Sequence, residues 1–182
     1  MWICTLRSSI YAKSFPKLEM VESQKKINAW NIIKDLTDPE LPFLTLEDLG
    51  VISKIEVRPS GDLSITITPT YIGCPAISII EKKIKHTLKI SGHESQLKRS
   101  FSPPWTTDLI TEEGKRKMKE FGIAPPLLKK DHFLSKKQIK PIECPQCSSI
   151  TTEKVAEFGS TACKSLYRCK ECLEPFDYFK CI

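Results

Sequence analysis

The stretch TPTYIGCPAISII, Thr68 to Ile80, joins two hydrophobic periods. Before it, Leu63, Ile65 and Ile67 alternate with Ser64, Thr66 and Thr68, the two-residue repeat of a strand with one buried face. After it, Ile77, Ile80, Ile84 and Leu88 recur at helical spacing. Pro75 suits the first helical position, where a missing N–H forfeits no bond. The quoted residues are therefore a strand-to-helix junction with a single cysteine, Cys74, at its turn.

Working outward from the junction, Val51, Ser53, Ile55 and Val57 alternate with Ile52, Lys54, Glu56 and Arg58. PSGD, residues 59–62, separates that run from the Leu63 strand, so the two form a hairpin. Further upstream, Ile27, Trp30, Ile33 and Leu36 predict an amphipathic helix over Gln24–Leu36. Asp38-Pro39 stops it, because a residue before proline avoids the helical region. Downstream, SGHE turns the chain into a third strand near Gln96–Phe101. PPWTTD and a short polar helix over Thr111–Phe121 follow, with Gly122 as its C-terminal cap. The order α-β-β-α-β-α predicts an α+β domain over residues 20–122, with helices flanking a small three-stranded mixed sheet. A Pro/Lys-rich linker is expected over residues 123–142. Residues 1–19 are set aside as a leader, either disordered or the product of a translation start placed ahead of Met20.

Past the linker, Cys144-Pro-Gln-Cys147 and Cys169-Lys-Glu-Cys172 stand 21 residues apart. Paired C-x2-C knuckles at this interval predict a tetrahedral four-sulfur site, with zinc as the structural ion and iron as its rival. Four cysteines leave no open position for a catalytic water. Val155–Phe158 and Ser165–Arg168 are expected to form a hairpin between the knuckles, making residues 143–182 a zinc β-ribbon. A segment this short rarely folds on its core alone, so metal is expected to supply much of its stability.

Bulk properties exclude several classes. The 182-residue chain is 40% hydrophobic and 27% charged, as in a globular protein. No apolar run approaches the roughly 20 residues that span a bilayer. The net charge of +6 comes largely from nine Lys/Arg between Lys115 and Lys140. These read as a solvated face and linker, and no aromatic-rich binding motif accompanies them to suggest nucleic acid. The eight cysteines come without a recognisable secretory signal, which fits metal chemistry in a reducing cytoplasm rather than disulfides. His86, His93 and His132 show no ligand spacing, and neither a nucleotide loop nor a Ser/His/Asp arrangement argues for an enzyme.

Cys74 itself has two readings. It is a small packed residue, or it is a thiolate held at a helix N-terminus, where unpaired amides lower a thiol pKa from about 8.5 into the range of about 3.5 to 7.5. Composition and periodicity do not choose between them.

DPELPFLTLEDLG, TPTYIGCP and the PPWT segment together resemble the MIP-eighteen-like domain of iron–sulfur assembly factors. SFSPPWTTDLITEEGKRKMKEFGIAPP, ECPQC, FGSTACKSLYRC and EPFDYFKCI resemble the PaaD family of phenylacetate degradation. The resemblance spans roughly Ile27 to Ile182 and does not include the leader. It implies a chain that accompanies the multicomponent oxygenase epoxidising phenylacetyl-CoA, without carrying the oxygenation chemistry. It implies maturation, in which iron or an iron–sulfur cluster is delivered to that complex, especially to its iron–sulfur reductase. A non-catalytic structural subunit of the oxygenase is the alternative.

In the family pattern the reactive cysteine falls on Cys74, as a transient iron or cluster ligand. The DPE string falls on Asp38, Pro39 and Glu40, and the ribbon ligands fall on Cys144, Cys147, Cys169 and Cys172. Asp38 and Glu40 supply an oxygen ligand or form a capped, solvent-facing turn. Cys163 and Cys181 occupy family-matching strings. Because stable two-iron clusters take four protein ligands, one cysteine needs help. A second copy in a homodimer, Cys163, Cys181 or a small thiol would complete the shell.

Overall fold

The computed structural model describes residues 15–127 and 141–180, with side chains from Met20 onward. Cys181, Cys4 and the body of the expected linker lie outside the described residues. The first helix, α1, spans Phe15–Ile33. It begins ahead of Met20 and so runs across the expected leader boundary; Pro16 sits in its first turn, where no backbone bond is lost. The stripe is also rotated from expectation. Ala29 and Ile33 are fully buried, Ile32 and Leu36 pack beside them, and Ile27 is half exposed. The helix ends at Ile33, and Leu36 belongs to the turn after it, donating its N–H to the Ile33 carbonyl.

The segment read as a loop contains a one-turn helix, α2, Leu46–Leu49. Thr45 caps it: the hydroxyl accepts from the Asp48 N–H while the Asp48 carboxylate accepts from the Thr45 N–H. Gly50 closes it at φ 61°, and a Cβ there would stand 2.5 Å from the Leu109 carbonyl oxygen. No side chain is tolerated at that crossing.

Strands β1 (Ile52–Val57) and β2 (Leu63–Ile67) form the antiparallel hairpin, and β3 (Ser95–Arg99) pairs parallel to β2, giving the order β1-β2-β3. An irregularity between Ile52 and Lys54 corrects the phase of β1. Ile52 and Ile55, three residues apart, thereby both pack on the core. Helix α3, Ala76–Ile90, crosses from β2 to β3 and buries Ile77, Ile80, Ile84 and Leu88 against Leu63, Ile65 and Ile67. Helix α4, Glu112–Glu120, is capped by the Thr111 hydroxyl accepting from Gly114 N–H.

The second sheet is larger than the expected hairpin. Strands β4 (Ile123–Ala124), β5 (Thr152–Ala156), β6 (Lys164–Cys169) and β7 (Pro175–Phe179) lie in the order β4-β7-β6-β5. Phe158, placed in a strand by its sequence, is 65% exposed beyond the end of β5. Ile123 and Ala124, read as the start of the linker, pair with Asp177 and Tyr178 of β7. The ribbon is thus hydrogen-bonded to the end of the first module.

It is also packed into that module. Phe179 of β7 is 1% exposed and meets Trp105 edge-on at 6.2 Å, and both belong to the cluster built on β2 and α3. Trp105, from the PPWT segment, donates its indole N–H to the Leu49 carbonyl at 2.9 Å. A separate cluster of Ile142, Cys144, Cys169, Phe176 and Tyr178 fills the ribbon itself. Among the described residues, no helix is long and apolar enough to cross a membrane.

Candidate metal centre and junction thiol

The ribbon brings its four predicted ligands together. The sulfurs of Cys144, Cys147, Cys169 and Cys172 all lie within 4.8 Å of one another, with Cys144–Cys172 at 3.7 Å and Cys147–Cys169 at 3.5 Å. A tetrahedral zinc with Zn–S bonds of about 2.3 Å sets sulfurs about 3.8 Å apart. The donor set and its span therefore fit zinc. The knuckles are made by tight backbone turns. Ser148 N–H bonds the Cys144 carbonyl at 2.9 Å, and Ser148 and Leu173 take positive φ to admit them.

Amides point at the sulfurs, as the knuckle spacing predicts. Backbone N–H groups of Cys172 and Glu171 hold the Cys169 thiol down at about 6. The Glu174 amide favours the Cys172 thiolate, but burial and the three neighbouring sulfurs push that thiol up to about 12. Four close sulfurs cannot all ionise without a cation among them, which is the electrostatic demand that a divalent ion meets.

Cys74 lies at the turn of the strand-to-helix junction, half-buried. Pro75 takes the N-cap position in helical geometry and α3 proper starts at Ala76. Gly73, at φ 91° with open space where a side chain would stand, makes the turn. The sulfur is half-buried and receives the Ala76 amide and a Thr70 hydrogen bond. Of the two readings of Cys74, the direction of its pKa runs against the lowered thiol. Burial, reinforced by the charges of Glu40 and Asp38, outweighs those hydrogen bonds and raises the thiol above its ordinary value. Empty, Cys74 is a neutral thiol at pH 7.

The two acidic residues divide their work. Asp38 is buried, and its carboxylate accepts the N–H groups of Glu40 and Leu41 at 2.7 and 3.0 Å. It holds the DPEL turn. The Glu40 charge raises the Cys74 and Cys163 thiols and the Tyr71 phenol. Tyr71 hydrogen-bonds Cys74, and burial followed by the Cys74, Cys163 and Glu40 charges raises its phenol. Nothing in the sequence pattern singles out Tyr71, although it stands in the quoted junction and its carbonyl accepts the Cys74 N–H.

Cys163 comes from the ribbon, one residue before β6, and is 5% exposed. Its sulfur lies 3.0 Å from the Thr161 hydroxyl, and burial raises its pKa. It packs in the same cluster that Cys74 and Tyr71 border.

Comparison with known proteins agrees with this division. Residues 27–96 match a family described as iron–sulfur cluster assembly protein, and residues 129–180 match the PaaD zinc beta ribbon domain. The chain is 40% identical over 154 residues to an Escherichia coli (strain K12) protein provisionally named as a component of 1,2-phenylacetyl-CoA epoxidase, covering 84% of this chain and 91% of that one. It belongs to the PaaD family. The first module of this PaaD chain is also 30% identical over 96 residues to a Porphyromonas gingivalis Fe-S protein maturation auxiliary factor, covering 50% of this chain and 86% of that protein. A crystal structure titled domain of unknown function DUF59, from Bacillus anthracis, shares its fold at a TM-score of 0.51 and 22% identity, over 55% of this chain and 96% of that one.

Proposed function

We propose that this chain is a cytoplasmic maturation factor that delivers iron or an iron–sulfur unit to the phenylacetyl-CoA epoxidase complex, with Cys74 as the transient ligand and the iron–sulfur reductase as client. The observation that carries this is the half-buried Cys74 sulfur at the start of α3, within the module that matches iron–sulfur cluster assembly proteins. The relative named as an epoxidase component supplies the choice of client. The ribbon zinc is structural on this reading, since its four sulfurs close the coordination sphere.

The geometry suits loading and release. A thiol kept neutral when empty is a poor nucleophile and resists oxidation. A bound cation displaces the proton, and the Ala76 amide and α3 N-terminus then stabilise the thiolate–metal bond. A single protein thiolate holds a cation less firmly than a site with several ligands, which suits handing it on. The second reading is a structural subunit of the oxygenase, favoured by the relative's name.

Cys74→Ala separates the two. In cells assembling the oxygenase, delivery predicts a complete complex whose reductase is short of iron, counted by metal analysis after anaerobic purification. Full client iron with a defect confined to assembly would reject delivery and favour the structural role.

A further inference from the structure

We propose that the outer edge of β1 and the exposed face of α1 form a docking groove for an extended acidic segment of a protein partner, which adds a strand beside β1. This surface uses none of the Cys74 junction residues and does not depend on the maturation reading. The stripe that periodicity assigns to the core supplies its wall. Ile27 is half exposed and Trp30 only partly covered, while Ala29 and Ile33 enter the core instead. Met20, seven positions before Ile27 and so on the same helical face, is also exposed. Together with Ile52 and Ile55 of β1, Ile27 and Trp30 line an open groove of about 330 Å3.

The groove offers hydrogen bonds as well as apolar area. β1 ends the sheet order β1-β2-β3, so among the described residues no strand lies beyond it. Arg58 N–H bonds the Asp62 carbonyl across the hairpin at 2.8 Å, which fixes the phase of the antiparallel ladder. The backbone groups of Glu56 and Lys54 then face β2, and the N–H and C=O groups of Ile55 and Val57 point outward. An unpaired edge of this kind templates a further strand, whose backbone makes the bonds and whose alternate side chains fill the groove. Charge selects the occupant. Among the described residues, the charged side chains lining the groove are Lys26 and Lys54. Lys54 meets Glu56 at 2.6 Å, and Lys26 has no ion-pair partner among the described residues. A strand alternating acidic and apolar residues satisfies the lysines and the apolar wall together. A second copy of this chain does not, because a two-fold contact would set Lys26 and Lys54 against themselves.

The test uses the full zinc-loaded chain and a panel of short fluorescein-labelled peptides that alternate glutamate with valine, isoleucine or phenylalanine. A matched panel carries lysine in place of glutamate. Fluorescence anisotropy at low salt should show the acidic panel binding about tenfold or more tighter than the basic one. Ile27→Ser and Lys26→Glu, both outside the core, should each weaken the acidic peptides about tenfold. Lys26→Glu should also improve binding of the basic panel. With an acidic peptide bound, hydrogen exchange should slow at the Ile55 and Val57 amides. No binding by the acidic panel, equal binding of the two panels, or protection that appears along β3 instead overturns the proposal. A wild-type chain that dimerises through this edge, with the dimer lost in Ile27→Ser, overturns it in favour of a second copy. Should Ile27→Ser lose cooperative unfolding, Lys26→Glu alone decides: a preference that swings towards the basic panel supports the groove, and an unchanged preference refutes it.

Discussion

Truncating Phe179 to alanine tests whether the ribbon shares a core with the first module. Phe179 is 1% exposed, sits in β7 and packs on Trp105, which is itself 3% exposed. Phenylalanine buries on the order of 150–250 Å2, worth about 4–6 kcal/mol at about 25 cal/mol per Å2. Core Phe→Ala changes cost about 3–5 kcal/mol, so about 4 kcal/mol is expected for Phe179→Ala. With a urea slope of about 2 kcal/mol per molar, the midpoint should fall by about 2 M. The assay follows the zinc-loaded protein in urea by two probes. Tryptophan fluorescence reports the first module through Trp30 and Trp105, and a chromophoric chelator reports zinc release from the ribbon. Both transitions should shift together, while Phe158→Ala, at an exposed site, should move them by less than about 0.5 kcal/mol. A fluorescence transition that stays put while zinc release moves would show two modules joined only by chain, and the shared core would be refuted.

Glu40→Gln should speed alkylation of Cys74 at pH 7–8, because removing a neighbouring negative charge lowers the thiol pKa; peptide mass mapping reads the rate, and an unchanged rate would take Glu40 away from the sulfur. Asp48 is buried, and against its desolvation the Lys117 ammonium at 2.6 Å and the Thr45 hydrogen bonds hold its carboxyl below 3.8. A depressed carboxyl pKa stabilises the fold above the unfolded value and loses that benefit as pH falls through the folded value. Asp48→Asn should therefore cost about 2 kcal/mol at pH 7, with the gap to wild type closing below about pH 4 in urea titrations. Cys144→Ser should abolish tight zinc binding and melt the β4–β7 sheet in hydrogen exchange, and a metal-free ribbon that keeps its amide protection would contradict a metal-dependent fold.

Much of the fold and the ribbon site is legible in the sequence because the signals are local. The hairpin, α3 and α4 follow from alternation, from Ile77, Ile80, Ile84 and Leu88, and from the Gly122 stop. The four ribbon ligands follow from spacing alone. What escapes depends on contacts distant in sequence. The buried face of α1 differs from the one periodicity points to, because Ala29 carries little hydrophobic signal yet sits fully buried in the core. Strand β4 is two residues long, too short for any period, and exists only because β7 offers it a partner. The direction of the Cys74 pKa is not legible because the helix amides are local, whereas the Glu40 and Asp38 charges that help raise it come from a loop more than thirty positions away. Cys163 stands in a family-matching string, but only the fold shows it buried against the Thr161 hydroxyl.

The edge-on contact of Phe179 with Trp105 has a consequence for biosynthesis. Phe179 follows every residue of the first module, so a ribosome finishes that module before its last hydrophobic plug exists. The nascent domain must wait, incompletely sealed, until β7 emerges and the knuckles capture their ion. A copy starved of zinc would then carry an unsealed first-module core as well as a loose tail, so one ion bound at the end of the chain would govern the packing of its beginning.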